Sequence, residues 1–476
     1  MNTGKPAPEP LKWSLLELCA ALRRGELSPV ELLQCTWQRI EDTHEKLNAV
    51  VARFPYDVLE TQARAAEARL RRGDARPLEG IPLGVKDLED VAGLPTTFGS
   101  LPFRGNVAER DSVQVERLKN AGAIVIGKTN APEFGYTAIT KNLVYGVTRS
   151  PWNLERTPGG SSGGSSAAMA GCVLPLVTAS DGGGSIRIPA SFTGCFGLKV
   201  SFGRVPRGPS EYWDYQDTSV YGPLTKTVED AALFLDQVVG SSPWDPNSLP
   251  HPGLSYLAAV RGELPRPLRI AFSPDLGYAV VQSDVAAAVE ENVKVFERLG
   301  HRVEQISGGP PQLGREWAIL GAFELAAHLH QYIPEKEKDF GRTFLSGVKL
   351  GWEMRPETWG EAAKLRAQLN AWCAELFANF DALITPTVPY DPPPAGGPFP
   401  QETEGRPQVI AGVAAFTIPF NLSWHPAATV RIGLSRAGLP MGMQIVGPRH
   451  RDDLVLQLAR AFERERPWHP HWPDRF

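Results

Sequence analysis

The chain of 476 residues sets 49 lysines and arginines against 53 aspartates and glutamates, a formal net charge of −4, and is 42% hydrophobic. That is ample apolar material for a large buried core, which excludes a disordered or fibrous chain. Charges of both signs are mixed along the sequence, so no basic stripe offers itself to nucleic acid, and no apolar run approaches the roughly 18 residues needed to span a bilayer.

The polar, proline-containing start leads into two amphipathic patterns, 14–25 and 29–48, and a third at 55–72. The second opens with Ser28-Pro29-Val30-Glu31, an N-cap followed by proline at the first helical position. From Gly80 the texture changes to short apolar runs, Ile81–Val85, Ala123–Ile126 and Leu174–Ala179, separated by helical or glycine-rich stretches. A helix is expected at 226–239 and a surface excursion at Ser241–Pro267. Leu268–Phe272, helix 284–299 and His301–Ile306 then make a β-α-β unit. Residues 315–378 read as mainly helical, with Trp317, Trp352, Trp359 and Trp372 expected to pack in the core or a cleft wall. Pro386–Pro407 reads as a long surface loop bordering the site, before strands at Ala427–Ile432 and Met441–Val446 and a helix at 452–465. The expectation is an α/β fold with one large mixed β-sheet covered by helices on both faces. Residues 1–476 are taken as a single domain with a catalytic core at 80–200 and a helical insertion at 241–407.

Five cysteines, Cys19, Cys35, Cys172, Cys195 and Cys373, are scattered without C-x-x-C pairing, which argues against a disulfide framework and a zinc site. A cytoplasmic protein with no metal and no cofactor is expected. Chemistry concentrates instead in two glycine-embedded serine segments, Pro158-Gly159-Gly160-Ser161-Ser162-Gly163-Gly164-Ser165 and Asp181-Gly182-Gly183-Gly184-Ser185-Ile186-Arg187. Glycines let backbone N–H groups approach a ligand closely, so a serine ending a triple glycine can sit inside its own oxyanion-binding loop. The first segment runs into Ala167-Ala168-Met169-Ala170, a good helix former that Ser165 or Ser166 is placed to cap.

Three generic patterns fail on context. Gly122–Thr129 fits a phosphate-binding loop, but its middle, Ala123-Ile124-Val125-Ile126, is a buried strand. Ser346-Gly347-Val348-Lys349 fits S-x-x-K without its companion motifs. Gly159–Gly163 fits the G-x-S-x-G nucleophile elbow, for which His425 or His450 would serve as base, yet its approach is polar and turn-like rather than a strand.

With Gly80-Ile81-Pro82-Leu83-Gly84-Val85-Lys86-Asp87 upstream and Gly127–Phe134 between, the two serine segments resemble the amidase signature family of serine hydrolases. The resemblance covers most of the chain. It implies that Lys86, Ser161 and Ser185, the serines 24 residues apart, occupy the positions of a Ser-cisSer-Lys triad. Ser185 would be the nucleophile, Ser161 the relay after a cis peptide, and Lys86 a buried base made neutral by desolvation. The N–H groups of Gly182, Gly183, Gly184 and Ser185 would hold the oxyanion, with Asp181, Arg187 and Ser162 as structural support.

Departures bear on substrate choice. Gly182 stands where many members carry a larger residue, Trp424 replaces a usual glycine, and Arg431 a small or apolar residue. With the aromatic stretch Tyr212-Trp213-Asp214-Tyr215, this points to bulky or aryl amides, with esters and aryl carbamates also as substrates. Gly160, Tyr136, Tyr212, Trp213 and Trp424 are the candidate substrate-binding residues. A monomer or homodimer acting on a small molecule is expected, with no nucleic acid or membrane partner. The alternatives are the glutaminase subunit of a tRNA-dependent amidotransferase and, more distantly, a non-catalytic binding protein.

Overall fold

The computed structural model describes residues 9–209, 217–264 and 267–473. Helix Pro29–Leu47 begins as its sequence dictates: Glu31 N donates to Ser28 Oγ at 3.1 Å and Ser28 N to Glu31 Oε2 at 2.8 Å, a reciprocal capping box. Helix Leu15–Arg24 opens on the same device at Ser14 and Glu17 and closes on a left-handed glycine, Gly25. Both helices bury their leucine stripes in the main core.

Among the described residues, eleven strands form one sheet. In chain order they are β1 (Val50–Arg53), β2 (Pro82–Lys86), β3 (Ile124–Thr129), β4 (Leu176–Asp181), β5 (Phe196–Lys199), β6 (Val220–Thr225), β7 (Arg269–Phe272), β8 (Arg302–Gln305), β9 (Ala382–Pro386), β10 (Ala427–Leu434) and β11 (Pro440–Val446). They lie in the order β1-β3-β2-β4-β6-β5-β10-β11-β9-β7-β8. The pairs β2–β3, β2–β4, β7–β8 and β7–β9 are parallel and the others antiparallel, so the sheet is mixed. Strands β2, β3, β4, β5, β6, β9 and β11 are buried at every position. Since successive side chains point to opposite faces, both faces are covered, as expected of an α/β fold.

The expected β-α-β unit is present, with helix Ser283–Arg298 joining parallel β7 and β8. The span 241–407, expected as a helical insertion, contributes three strands to the sheet, and its longest run of consecutive helices lies at Gly314–Asn379. Within the excursion at 241–267, Tyr256–Arg261 is a helix. The expected loop from Pro386 is anchored by buried Val388 and Tyr390 and contains a short hairpin pairing Glu402–Thr403 with Arg406–Pro407. Trp352 and Trp359, expected to pack, are 50% and 54% exposed. Strand β6 escapes sequence reading because Gly222-Pro223 interrupts it. Pro223 nevertheless sits opposite Thr178 inside the sheet.

Parallel pairing of β2 with β4, Leu83 opposite Leu176 and Gly84 opposite Val177, brings Lys86 and the glycine loop after Asp181 out at the same edge. Lys86 N ties the pair by donating to Thr178 Oγ1 at 3.0 Å. Above this edge three hydrophobic clusters meet. They are centred on Phe134, Phe344 and Val348; on Ile188, Phe192 and Val413; and on Leu313, Ile418 and Leu422.

Candidate active site

Lys86 ends β2 with only 1% of its surface exposed. Its Nζ donates to Ser161 Oγ at 2.7 Å and lies 2.9 Å from both Ser162 Oγ and Ser180 Oγ. A surface ion pair with Asp87 is ruled out: that carboxylate accepts from Thr97 N at 3.0 Å and faces Lys128 Nζ at 4.0 Å. Burial pulls the Lys86 ammonium down to about 7, against the opposing charges of Asp181 and Glu89. Ser162 donates its own proton to Ser180 O at 3.2 Å. Ser161 and Ser180 are therefore the hydroxyls available to donate to a neutral Nζ.

A cis peptide joins Gly160 to Ser161. The following helix, Gly163–Ala170, starts after Ser162, which makes no side-chain cap. Ser165 and Ser166, expected as caps, lie inside it: Ser165 Oγ donates to Thr178 O at 2.8 Å and Ser166 Oγ to Gly163 O at 3.1 Å. Ser162 N donates to Ser185 O at 3.3 Å, tying the two serine segments together.

The glycine loop is braced from within. The buried Arg187 guanidinium grips Asp181 through Nε–Oδ2 at 3.0 Å and Nη2–Oδ1 at 2.9 Å, and reaches on to Gln444 Oε1 at 2.8 Å. Burial alone would raise the Asp181 carboxyl, but the charge and hydrogen bonds of Arg187 hold it well below the usual carboxylate range. Asp181 also accepts from Gly184 N at 2.8 Å and Ile186 N at 3.1 Å. This corrects one expectation: the Gly184 N–H is committed to Asp181, leaving Gly182, Gly183 and Ser185 as backbone donors without a partner among the described residues.

Ser161, Ser180, Gly182, Gly183 and half-buried Ser185 line one cavity of about 210 Å³. Ser161 and Ser185 share no hydrogen bond among the described residues. Most of the remaining wall is apolar or aromatic, Leu88, Phe134, Tyr136, Ile188, Trp317, Phe399, Ile410, Val413 and Ile418, with Thr137 and Ser219 as the other polar side chains. No Asp, Glu, Lys, Arg or His lines the cavity among the described residues.

Of the candidate substrate-binding residues, Tyr136 is on the wall. Gly160 is not, because its Cα backs onto Thr137 and Ala138. Nor is Trp424, which stacks on Phe202 at 4.8 Å and donates from Nε1 to Asp217 O on the outer surface. Its φ of +66° is the left-handed conformation that favours glycine. Arg431 is equally remote, lying over the Trp152 ring at 4.6 Å. Tyr212 and Trp213 lie outside the described residues. His425 is stacked on Phe377 at 4.9 Å, with Nδ1 2.9 Å from Ser423 Oγ, and burial pulls it down to about 3. Neither it nor His450 lines the cavity, which removes the nucleophile-elbow reading along with the absence of a strand before Gly159.

Two residues of the site escape sequence reasoning, and the contact made by a third does too. Ser180 directly precedes the second glycine segment and was legible as a third hydroxyl. Phe134 closes the Gly127–Phe134 segment. Trp317 lines the cavity, in keeping with its expected place in the core or a cleft wall, but its bond to the glycine loop carried no local signal: the indole Nε1 donates 2.9 Å to Gly182 O across 135 residues of sequence.

The amidase family model matches residues 31–456. The chain is 35% identical to an acylamidase of Rhodococcus erythropolis, covering 96% of each protein. It is 33% identical to a glutamyl-tRNA(Gln) amidotransferase subunit of a Roseiflexus species, covering 95% of this chain and 96% of that one. Among solved structures it resembles a bacterial aryl acylamidase of the amidase signature family, with a TM-score of 0.90, 29% identity, and coverage of 97% of this chain and 98% of the other. With its mixed eleven-stranded sheet and likeness along nearly the whole chain, this protein belongs to the amidase signature family, as a hydrolase acting on carbon–nitrogen bonds in linear amides.

Proposed function

We propose that this hydrolase acts without partner subunits on neutral, bulky or aryl amides, and on the matching aryl esters and carbamates. The observation that carries the reading is the cavity wall: serine hydroxyls and backbone N–H groups at one end, mostly aromatic and aliphatic side chains elsewhere, and no Asp, Glu, Lys, Arg or His among the described lining residues. Free glutamine would bring an ammonium and a carboxylate into that wall. Desolvating such charges without partners is prohibitive. The glutaminase reading, which the amidotransferase relatives keep in view, is disfavoured on this ground.

In the proposed mechanism, neutral Lys86 takes the Ser161 proton as Ser161 takes that of Ser185, and Ser185 Oγ bonds to the substrate carbonyl carbon. The Ser161–Ser185 contact closes when substrate fills the cavity, as catalytic hydrogen bonds commonly do. The tetrahedral oxyanion is met by the N–H groups of Gly182, Gly183 and Ser185. As the carbon–nitrogen bond breaks, Ser161 returns a proton to the leaving amine and is itself reprotonated by Lys86. Water, deprotonated along the same route, then releases the acyl group and regenerates Ser185. A carbamate follows these steps and its carbamic or carbonic half-product loses carbon dioxide.

The test is a panel of anilides, aryl esters, aryl carbamates, small aliphatic amides and glutamine, with wild type and Ser185→Ala. The reading requires kcat/KM for anilides well above that for aliphatic amides, with glutamine inert and every activity lost in Ser185→Ala. Preference for glutamine, or for small aliphatic amides, refutes the substrate class. Activity retained in Ser185→Ala refutes the mechanism, and failure of a fluorophosphonate probe to label Ser185 favours a binding protein.

A further inference from the structure

Every carbonyl of residues 181–183 is held by a side chain from a distant part of the chain. Asp181 O accepts from Asn421 Nδ2 at 2.9 Å, Gly183 O from Thr417 Oγ1 at 2.7 Å, and Gly182 O from Trp317 Nε1 at 2.9 Å. Across a trans peptide the C=O and N–H point in opposite directions, so fixing a carbonyl fixes the following N–H. Thr417 thereby orients the Gly184 N–H, which is used up by Asp181. Trp317 orients the Gly183 N–H, which has no partner among the described residues.

The indole is also built into this place. A Cβ added at Gly183 would meet Trp317 Cζ2 at 2.5 Å and Cε2 at 2.9 Å, so the ring lies flush on the glycine backbone in a space that no other residue at 183 would leave. Trp317 itself belongs to helix Gly314–Leu329, outside the serine segments, and its other surface lines the substrate cavity.

We infer that Trp317 is a positioning residue: its indole N–H holds the Gly182–Gly183 peptide so that the Gly183 N–H faces the oxyanion. The inference rests on the reading of Ser185 as nucleophile. It gives Trp317 two separable tasks, an apolar wall for substrate through its ring and an oriented donor for the transition state through its nitrogen. The first acts on ground state and transition state alike, and the second on the transition state alone.

The experiment replaces Trp317 by β-(3-benzothienyl)alanine, which keeps the bicyclic ring and puts sulfur where the N–H was, beside Trp317→Phe as the encodable variant. Steady-state kinetics on an anilide are compared with inhibition by an aryl trifluoromethyl ketone, which adds to the nucleophilic serine and leaves an oxyanion. The expected result for the isostere is about a tenfold loss in kcat, the same loss in ketone affinity, and KM within twofold of wild type. Trp317→Phe should show that loss together with a raised KM, having given up ring area as well. Wild-type kcat and ketone affinity in the isostere, or a loss confined to KM, overturns the inference. Ser185→Ala run alongside separates the two claims: if it stays active the nucleophile reading fails, whereas an inactive Ser185→Ala with an unaffected isostere sinks only the role of Trp317.

Discussion

The sharpest prediction concerns Lys86. A lysine at its reference value of 10.5 is neutral in roughly one molecule in 3,000 at pH 7, too rarely to serve as a base. Burial at the end of β2, among three serine hydroxyls and with no carboxylate in contact among the described residues, brings the group to about 7, where half the molecules carry the neutral amine. In the proposed mechanism the neutral form is the competent one, so kcat/KM for an anilide should rise tenfold per pH unit below about 7 and level off above it. Replacing Lys86 by Arg keeps the positive charge but removes any accessible neutral state. It should lower kcat by about a thousandfold or more and abolish the acid limb. The assay is a kcat/KM profile from about pH 5.5 to 9.5, a window spanning both the shifted and the ordinary lysine value, on a substrate that does not itself titrate. A flat profile across that range, or a break only near the ordinary lysine value, would refute the assignment of Lys86 as base.

Other outcomes follow from the same geometry. Asp181→Asn strips the buried Arg187 of its salt-bridge partner and should cost about 3 to 5 kcal/mol, read by chemical denaturation with an unchanged m-value. A Cβ added at Gly347 would meet Tyr136 Oη at 1.9 Å, so Gly347→Ala must displace that cavity wall. It should raise KM for aryl substrates several-fold, lower stability by about 1 to 3 kcal/mol, and leave the pH profile in place. Trp424→Gly relieves a left-handed tryptophan outside the cavity, so kcat/KM should stay within about twofold of wild type even where the melting temperature moves.

How much was legible in advance depended on how local each cause is. Lys86, Ser161 and Ser185 sit in short segments whose glycine content and order suggest the proposed chemistry, and the fold brings Lys86 and Ser161 into contact and both serines to one cavity. Amphipathic helices with capping boxes, such as Pro29–Leu47, announce themselves for the same reason. Strand β6 did not, because its Gly-Pro pair is tolerated only by neighbours that no local pattern reveals. The commitment of Gly184 N–H to Asp181 depends on how the glycine turn after β4 closes, and the contact of Trp317 with Gly182 depends on a helix far along the chain. The departures at Trp424 and Arg431, read from the resemblance as bearing on substrate choice, lie in ring contacts away from the cavity.

The meeting of three hydrophobic clusters above the sheet edge divides the molecule into parts that can change at different speeds. Lys86, Ser180 and Asp181 end β2 and β4 of the main core, whereas Tyr136, Phe399 and Trp317 pack on three separate smaller cores. A substitution that reshapes one of those cores alters one wall of the cavity and leaves the strands carrying the proposed base in register. Such a scaffold admits new substrates one wall at a time, with one constraint crossing the boundary. That constraint is the indole of Trp317, a wall residue that reaches back into the reacting loop, and it should resist replacement when the rest of the wall is varied.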